Sequence, residues 1–291
     1  MQVRTVFVSD VHLGTADCQA EYLLHFLQTV RCERLYLVGD IVDLEVLAKR
    51  PYWPESHTAV LEWIMRMHRD GVRVSYIPGN HDAPLRGLCG RDIGGIPVRH
   101  REIHVAADGR RYLVSHGDEF DHEQLGKQWL LRLGNAAHGL LCWLNRHLNA
   151  VRRRVNLPYL PLSILTKSRI GKAMHYIRQY EQRVALHARE AQVDGHICGH
   201  IHFATIREID GVIYLNDGDW VEHCTGLVEH LDGRMELLHW SERALPIATL
   251  AARAPAFNPS LVTALSGAQG RLSDEGFADC VTAGVTAVRA A

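Results

Sequence analysis

The chain is patterned as short, nearly unbroken apolar runs separated by stretches in which apolar residues return every three or four positions. Thr5 to Val8, Leu35 to Val38, Val74 to Ile77, Tyr112 to Val114 and His196 to Cys198 are runs of the first kind. Runs of that length read as strands buried on both faces. Between them, Leu23, Leu24, Phe26, Leu27 and Val30 give a helix over Ala20 to Val30. Val60, Leu61, Ile64, Met65 and His68 mark a second helix, closed by Gly71. The first ~80 residues therefore predict a βαβαβ unit with right-handed crossovers. Gly87 to Gly95 reads as loop, and Val98 to Val105 with Arg110 to Ser115 as a hairpin about Asp108-Gly109. Later strands are expected at Gly195 to Cys198, Thr205 to Ile209, Val212 to Leu215, Thr225 to His230 and Met235 to Trp240. Turns at Asp210-Gly211 and Asp232-Gly233 predict that these form an antiparallel meander.

Glu123 to Glu190 breaks the pattern. Trp129, Leu130, Leu133, Leu140, Leu141, Trp143, Leu144 and Leu148 are its apolar positions, followed by Arg152-Arg153-Arg154 and the non-helical Pro158 to Leu162. A further helix with Ile177, Tyr180, Val184, Leu186 and His187 leads back. The organisation expected is a core of residues 1–122 and 191–243, a helical cap insertion of 123–190, and a weakly structured tail of 244–291. That tail is rich in Ala, Gly, Ser and Thr without periodicity.

Charge sharpens this division. The net charge is −1, so the molecule as a whole has no bias toward nucleic acid. Residues 123–190, however, hold 12 Lys+Arg against 3 Asp+Glu, leaving 20 against 30 elsewhere. The insertion admits two readings: a helical hairpin packed on itself with arginine on its solvated side, or an apolar and cationic cap that meets anionic lipid. Contact of the Arg run with nucleic acid ranks lower, because no aromatics are interleaved with it. Seven cysteines without a CxxC pair, a start that reads directly as a strand, and no apolar stretch of ~20 residues predict a cytosolic protein with reduced thiols.

The candidate chemistry follows the strands. Asp10-x-His12, Gly39-Asp40-x-x-Asp43, Gly79-Asn80-His81-Asp82, His116-Gly-Asp118 and Gly199-His200-x-His202 each begin where an apolar run ends. Any one of these has a bland explanation as a turn. Five strands delivering Asp, Asn and His to one edge instead predict a polynuclear metal site. Oxygen donors mixed with imidazoles suit Mn²⁺, Fe or Zn²⁺ better than Ca²⁺, and the lack of cysteine ligands argues against a structural zinc. Two ions ~3.5–4 Å apart would activate a bridging hydroxide for in-line displacement at phosphorus. Cys198 and Trp220 are expected in the core.

This ordered set resembles the calcineurin-like metallophosphoesterase superfamily from Val3 to Trp240. The resemblance implies an α/β sandwich of two facing mixed sheets flanked by helices. It implies that Asp10, His12 and His202 hold a first ion, that Asp40 bridges, and that Asn80, His116 and His200 complete a second site. His81 would be the catalytic histidine at the phosphate, oriented by a carboxylate such as Asp82. Within the superfamily the chain looks like the UDP-2,3-diacylglucosamine diphosphatase group. Val6 to Gly14, the insertion between His-Gly-Asp and Gly-His-x-His, and Tyr214-Leu-Asn-Asp-Gly-Asp-Trp220 carry that likeness. It implies two divalent ions, Mn²⁺ first among them, and hydrolysis of a nucleotide-lipid to UMP and an acyl-sugar 1-phosphate at the inner membrane face. The best-known members carry Arg after the metal-binding Asn, where this chain has His81, the more general phosphoesterase form. The alternatives are a phosphoesterase acting on soluble nucleotides, other phosphodiesters or phosphoprotein, and a non-catalytic scaffold. Expected substrate contacts are Asp43, Trp129, Arg152, Arg153, Lys167 and Lys172. Asp43 is open between that role, orienting a neighbour, and capping a helix.

Overall fold

The computed structural model describes residues 1–121, 147–149, 151, 152, 154, 171–240 and 244–253. Two mixed sheets form its centre. In chain order the elements are β1 (Thr5–Val8), α1 (Ala20–Thr29), β2 (Arg34–Val38), α2 (Leu44–Lys49), α3 (Glu55–Arg69) and β3 (Arg73–Ile77). A small ribbon of β4 (Asp92–Ile93) and β5 (Ile96–Pro97) precedes the hairpin of β6 (Glu102–Val105) and β7 (Arg111–Val114). After α4 (Gly171–Glu190) come β8 (Gly195–Cys198), β9 (Thr205–Ile209), β10 (Val212–Asn216), β11 (Thr225–Glu229), β12 (Met235–Trp240) and β13 (Ala244–Leu250).

The six-stranded sheet has the order β13-β12-β11-β1-β2-β3, and the five-stranded sheet β6-β7-β8-β10-β9. Both faces of the central strands are covered, which explains why their sequences run apolar without alternation. In β1, Phe7 faces the second sheet, packing with Tyr112, Val114, Ile197 and Leu215. Its neighbours Val6 and Val8 turn to the other side, with Phe26 and Leu27 of α1 and Val60 and Ile64 of α3. On the far face of the second sheet, Tyr180, Val184, Ala185 and Ala188 of α4 are buried. The result is a helix–sheet–sheet–helix sandwich.

Direction matters more than order here. β1, β2 and β3 pair in parallel, and so do β7, β8 and β10. Six strands thus run toward one edge, and each carries a polar residue just beyond or at its end. The later strands do not form one meander. β8 and β10 are parallel, β9 returns antiparallel outside them, and β11 leaves for the first sheet, where it pairs with β1 and β12. The two Asp-Gly turns do reverse the chain locally, but hydrophobic burial on both sheets decides the partners.

One boundary differs from expectation. Residues 244–250, read as the start of the tail, form β13 on β12, so the first sheet has one more strand; residues 254–291 lie outside those described. Tyr180 and Val184 of α4 pack on the second sheet, Ile177 is buried, and Leu186 is exposed. The short helix α2 enters the sequence reading only as the helix that Asp43 could cap, because its residues are not buried and leave no apolar pattern. Trp220 is fully buried and stacks near Phe26 at 5.2 Å, and Cys198 is likewise in the core.

One side chain clamps the two sheets. Glu229, at the end of β11, is fully buried and accepts hydrogen bonds from Thr5 Oγ1 (2.6 Å), Arg4 Nη1 (2.7 Å) and the Ala107 amide (2.7 Å). His104 Nε2 of β6 lies 2.8 Å from the same carboxylate. Burial opposes its charge, but His104, Thr5 and the amide outweigh that and bring the carboxyl down from 4.5 to about 2. Because Glu229 ionises more readily folded than unfolded, its stabilisation is present above pH ~4.5 and is lost as the pH falls toward 2. We expect Glu229→Gln to lower stability at pH 7 by about 2–3 kcal/mol and to flatten the loss of stability between pH ~4.5 and 2. Thermal melts of both proteins across that range check this; parallel curves would rule out the clamp.

Candidate active site

The strand ends place their polar residues by an unusual backbone. Asp10 (φ 50°), His12 (53°), Asp40 (54°), His200 (68°) and His202 (49°) all adopt the left-handed region. Asp and His tolerate it better than most residues, yet each such residue still costs on the order of 1 kcal/mol or more. Ladder bonds that continue past the strands hold the turns in register: Asp10 N donates to Gly39 O at 3.0 Å, Val11 N to Asp40 O at 3.0 Å and Leu13 N to Ile41 O at 2.9 Å. Two glycines make room. A methyl group on Gly79 would overlap Asp40 Oδ1 and His116, and one on Gly199 would overlap Ser9 Oγ and Asp10 Oδ2.

Each acidic residue at the centre holds one oxygen back and presents the other. Asp10 Oδ2 accepts from Ser9 Oγ (2.6 Å) and the His200 amide (2.8 Å), leaving Oδ1 toward the rings of His202 (Nε2, 3.0 Å) and His12 (Nε2, 3.9 Å). Asp40 Oδ1 accepts from the His81 amide (2.7 Å), leaving Oδ2 3.9 Å from His12 Nε2 and 3.3 Å from His116 Nε2. Asn80 Oδ1 lies 3.2 Å from the same His116 nitrogen. The His200 ring is 5.3 Å from that of His116. All seven expected ligands therefore meet at one edge, with Asp40 between the two sets.

This arrangement fits divalent cations. Bonds of roughly 2.1 Å let one ion span donors up to ~4 Å apart, and the inward contacts above run from 3.0 to 3.9 Å. His12 Nε2 is buried and makes no hydrogen bond. Burial opposes charge on Asp40, but His116 and His12 outweigh it and hold the carboxyl well below its usual range. Burial opposes charge on Asp10 too, and there His202 outweighs it.

The residues behind the ligands were less legible. Asp43 proves to serve two of its three possible roles: Oδ1 accepts from Val46 N (2.8 Å) as the N-cap of α2, and Oδ2 faces His12 Nδ1 (3.1 Å) and His81 Nδ1 (3.0 Å). Buried and turned inward, it is not a substrate contact. Asp82 does not orient His81. Its Oδ1 accepts from Gly79 N (2.5 Å) and its Oδ2 from Tyr76 OH (2.5 Å) and Ile41 N (3.0 Å), so it staples the Asp40 turn to the Asn80 turn. His81 keeps a third of its side chain exposed, and its Nδ1 is turned toward Asp43, so Nε2 is the nitrogen left for a substrate.

Three contributors had no role assigned from the sequence. Asn216 Nδ2 donates to Gly199 O (2.6 Å), fixing the His200 turn. Asp217 Oδ1 and Asp10 Oδ2 both lie 2.6 Å from Ser9 Oγ. A hydroxyl has one proton, so with Asp10 ionised the second short contact needs a proton on Asp217; burial pushes its carboxyl well up and keeps it there. Asp219 accepts from the amides of Val221, Glu222 and His223, pairs with the His223 ring, and lies 3.9 Å from His202 Nδ1. The signal was present as two acids flanking Gly218 directly after β10. Trp129, Arg153 and Lys167 lie outside the described residues, Arg152 is helical and half-buried, and Lys172 is in the first turn of α4.

Comparison with known proteins gives this edge its context. The model of the calcineurin-like phosphoesterase family matches residues 3–204. The UDP-2,3-diacylglucosamine hydrolase of Porphyromonas gingivalis is 27% identical over 260 residues, covering 77% of this chain and 92% of that protein. Among solved structures, Yfce, a phosphoesterase from E. coli, aligns with a TM-score of 0.46 at 16% identity, covering 86% of this chain and 99% of that one. Vacuolar protein sorting 29 from Cryptosporidium parvum aligns with a TM-score of 0.44 at 10% identity, covering 85% and 97%. The chain belongs to the calcineurin-like phosphoesterase family and is a hydrolase of phosphate esters that depends on divalent metal.

Two outcomes follow from the geometry. Asp40→Ala should lose both ions while the fold persists, and Gly79→Ala, which crowds Asp40 and His116, should weaken metal binding without touching a ligand. Elemental analysis showing full metal content in Asp40→Ala would refute the bridging role. His81→Ala should keep both ions and lose roughly 10²–10⁴ in turnover of a small phosphodiester, the range for a proton donor at the reacting group. Loss of metal in that variant would make His81 a ligand instead.

Proposed function

We propose that this calcineurin-like phosphoesterase hydrolyses the pyrophosphate of a UDP-linked lipid of the UDP-2,3-diacylglucosamine type, releasing UMP and an acyl-sugar 1-phosphate. The observation that carries the reading is the similarity to the P. gingivalis hydrolase across nearly the whole of that protein. The composition of the insertion supports it. Burying acyl methylenes is worth ~0.8 kcal/mol each, and cations near an anionic surface contribute about 1 kcal/mol apiece. Trp129, Arg152, Arg153, Lys167 and Lys172 supply that chemistry in the sequence. Among the described residues no helix is long and apolar enough to cross a membrane. The cations of the insertion suit a lipid substrate met at an anionic membrane surface, its inner face in this reading.

Asp10, His12, His202, Asp40, Asn80, His116 and His200 would hold two divalent ions, Mn²⁺ first and Fe or Zn²⁺ as alternatives. Bound there, the ions supply an activated water and neutralise phosphate charge. The chain's own groups do the rest. Asp43, facing Nδ1 of His81, holds that ring with Nε2 outward. Burial works against a proton on His81, but Asp43 and then Asp40 outweigh it and hold the imidazole above its ordinary value. With Nδ1 facing Asp43, His81 would meet the phosphate as a proton donor, contacting an oxygen of the departing phosphate through Nε2–H. A second reading, hydrolysis of water-soluble phosphodiesters, is favoured by His81 itself, which stands where the best-known lipid hydrolases carry arginine.

One comparison separates the two. With Mn²⁺ present, we expect kcat/KM for UDP-2,3-diacylglucosamine to exceed that for bis-p-nitrophenyl phosphate and for the deacylated UDP-sugar by at least ~10²-fold, the value of a few buried methylenes. Replacing Trp129, Arg152 and Arg153 together by Ala should remove most of that margin and leave the small substrate untouched. Equal kcat/KM for acylated and deacylated substrates would leave the soluble reading.

A further inference from the structure

We infer that Asp121 is a positioning residue for His200: with Tyr176 it fixes which nitrogen of that imidazole faces the second ion, and it fastens the chain on both sides of 122–170 to the metal site. The inference rests on His200 being a ligand of that ion.

A neutral imidazole has one N–H and one lone pair, and whatever holds the first decides where the second points. His12 turns Nδ1 to Asp43 and His116 turns Nδ1 to Val38 O at 2.9 Å, so both present Nε2 inward. His202 likewise has Nε2 at Asp10. His200 is reversed. Its Nε2 lies 3.3 Å from Asp121 Oδ2. An ionised carboxylate only accepts, so the proton belongs on Nε2 and the lone pair on Nδ1 is left for the ion.

Asp121 is itself held. Tyr176 OH donates to its Oδ1 at 2.9 Å, and one helical turn later Tyr180 OH donates to Gly117 O at 3.1 Å. Tyr176 and Tyr180 are four apart on α4 and so share a face. Between them they bind both ends of the 117–121 segment, which begins beside the ligand His116. Asp121 precedes the insertion and α4 follows it, so the two flanking segments meet at one ligand ring. A shift of α4 would be felt at His200 through Asp121.

The test uses the full chain. In metal-free protein, long-range ¹H–¹⁵N correlation of labelled histidine should show His200 as the Nε2–H tautomer, and Asp121→Ala should convert it to a mixture. Titrating Mn²⁺ into the same proteins should resolve two affinities. Asp121→Ala should weaken one of them ~10–100-fold, the usual effect of losing a partner behind a ligating histidine. Asp121→Asn keeps an acceptor for Nε2–H and should recover most of the loss, and Tyr176→Phe should fall between. If Asn is as poor as Ala, Asp121 acts through charge or direct ligation and the inference fails. It fails equally if Ala leaves tautomer and affinities unchanged. His200→Ala is the control: two intact affinities there would remove the ligand assignment itself, and the inference with it. None of these readouts involves a lipid, so they stand apart from the choice of substrate.

Discussion

Asp10 and Asp40 are buried carboxylates at the ends of neighbouring parallel strands, and the charge they bring inside has to be answered there. Asp40 pushes the Asp10 carboxyl up, against His202 and His116 pulling it down. Parallel pairing of β1 with β2 leaves no freedom to separate them, because the ladder runs on through Asp10, Val11, His12 and Leu13. The solution visible in the structure is a division within each carboxylate. One oxygen is tied to N–H or O–H donors of the protein, and the other is kept for imidazoles and the cations they would share. Isolated buried charges are costly unless paired, so the site is a place where folding and metal binding are the same problem.

The second sheet exists, in this sense, to complete what the first begins. His116, His200 and Asp217 come from β7, β8 and β10, and each reaches across to a residue of β1 or β2: His116 to Asp40 and Val38 O, the His200 amide to Asp10, Asp217 to Ser9. Facing sheets must therefore keep their separation and alignment closely. Phe7 stacked on Tyr36 at 5.0 Å with His104 edge-on to both, and the Glu229 clamp beside them, supply that rigidity on the far side of the core from the left-handed turns. Strain at the edge is tolerated because it is over-determined from both sheets.

Much of this was readable from residue order. An apolar run ending in Asp, Asn or His needs only burial on two faces to place its last residue at an edge, and that rule selects the seven residues that gather there. It failed where the role of a residue depends on partners distant in sequence. Asp82 is the neighbour of His81 in sequence and Asp43 is remote from it, but Asp82 is consumed by the amides of Ile41 and Gly79, and Asp43 is brought up by the start of α2. Asp217 and Asp219 enter the sequence reading only within the Tyr214 to Trp220 likeness, since nothing local says that Ser9 and His202 lie across from them. The strand over 244–250 was missed for a related reason: its residues include exposed Ile247, and edge strands need little apolar patterning to pair.

Asp43 shows why the wrong carboxylate could not have done the work. A single oxygen, Oδ2, lies within 3.1 Å of Nδ1 of His12 and of His81, whose rings meet edge to face at 4.7 Å. With Nδ1 at that oxygen, His12 has its Nε2 lone pair free for an ion, and His81 would have Nε2 as the nitrogen left for a substrate. One carboxylate thus fixes opposite demands on two adjacent rings, a lone pair inward on one and a proton outward on the other. It is able to hold both because Oδ1 is locked by the first turn of α2 and the group cannot rotate away. Asp82, facing the interior of the turns, could orient neither ring. The placement of both rings thus depends on a helix cap, supplied by α2, which is only six residues long and without a buried side chain.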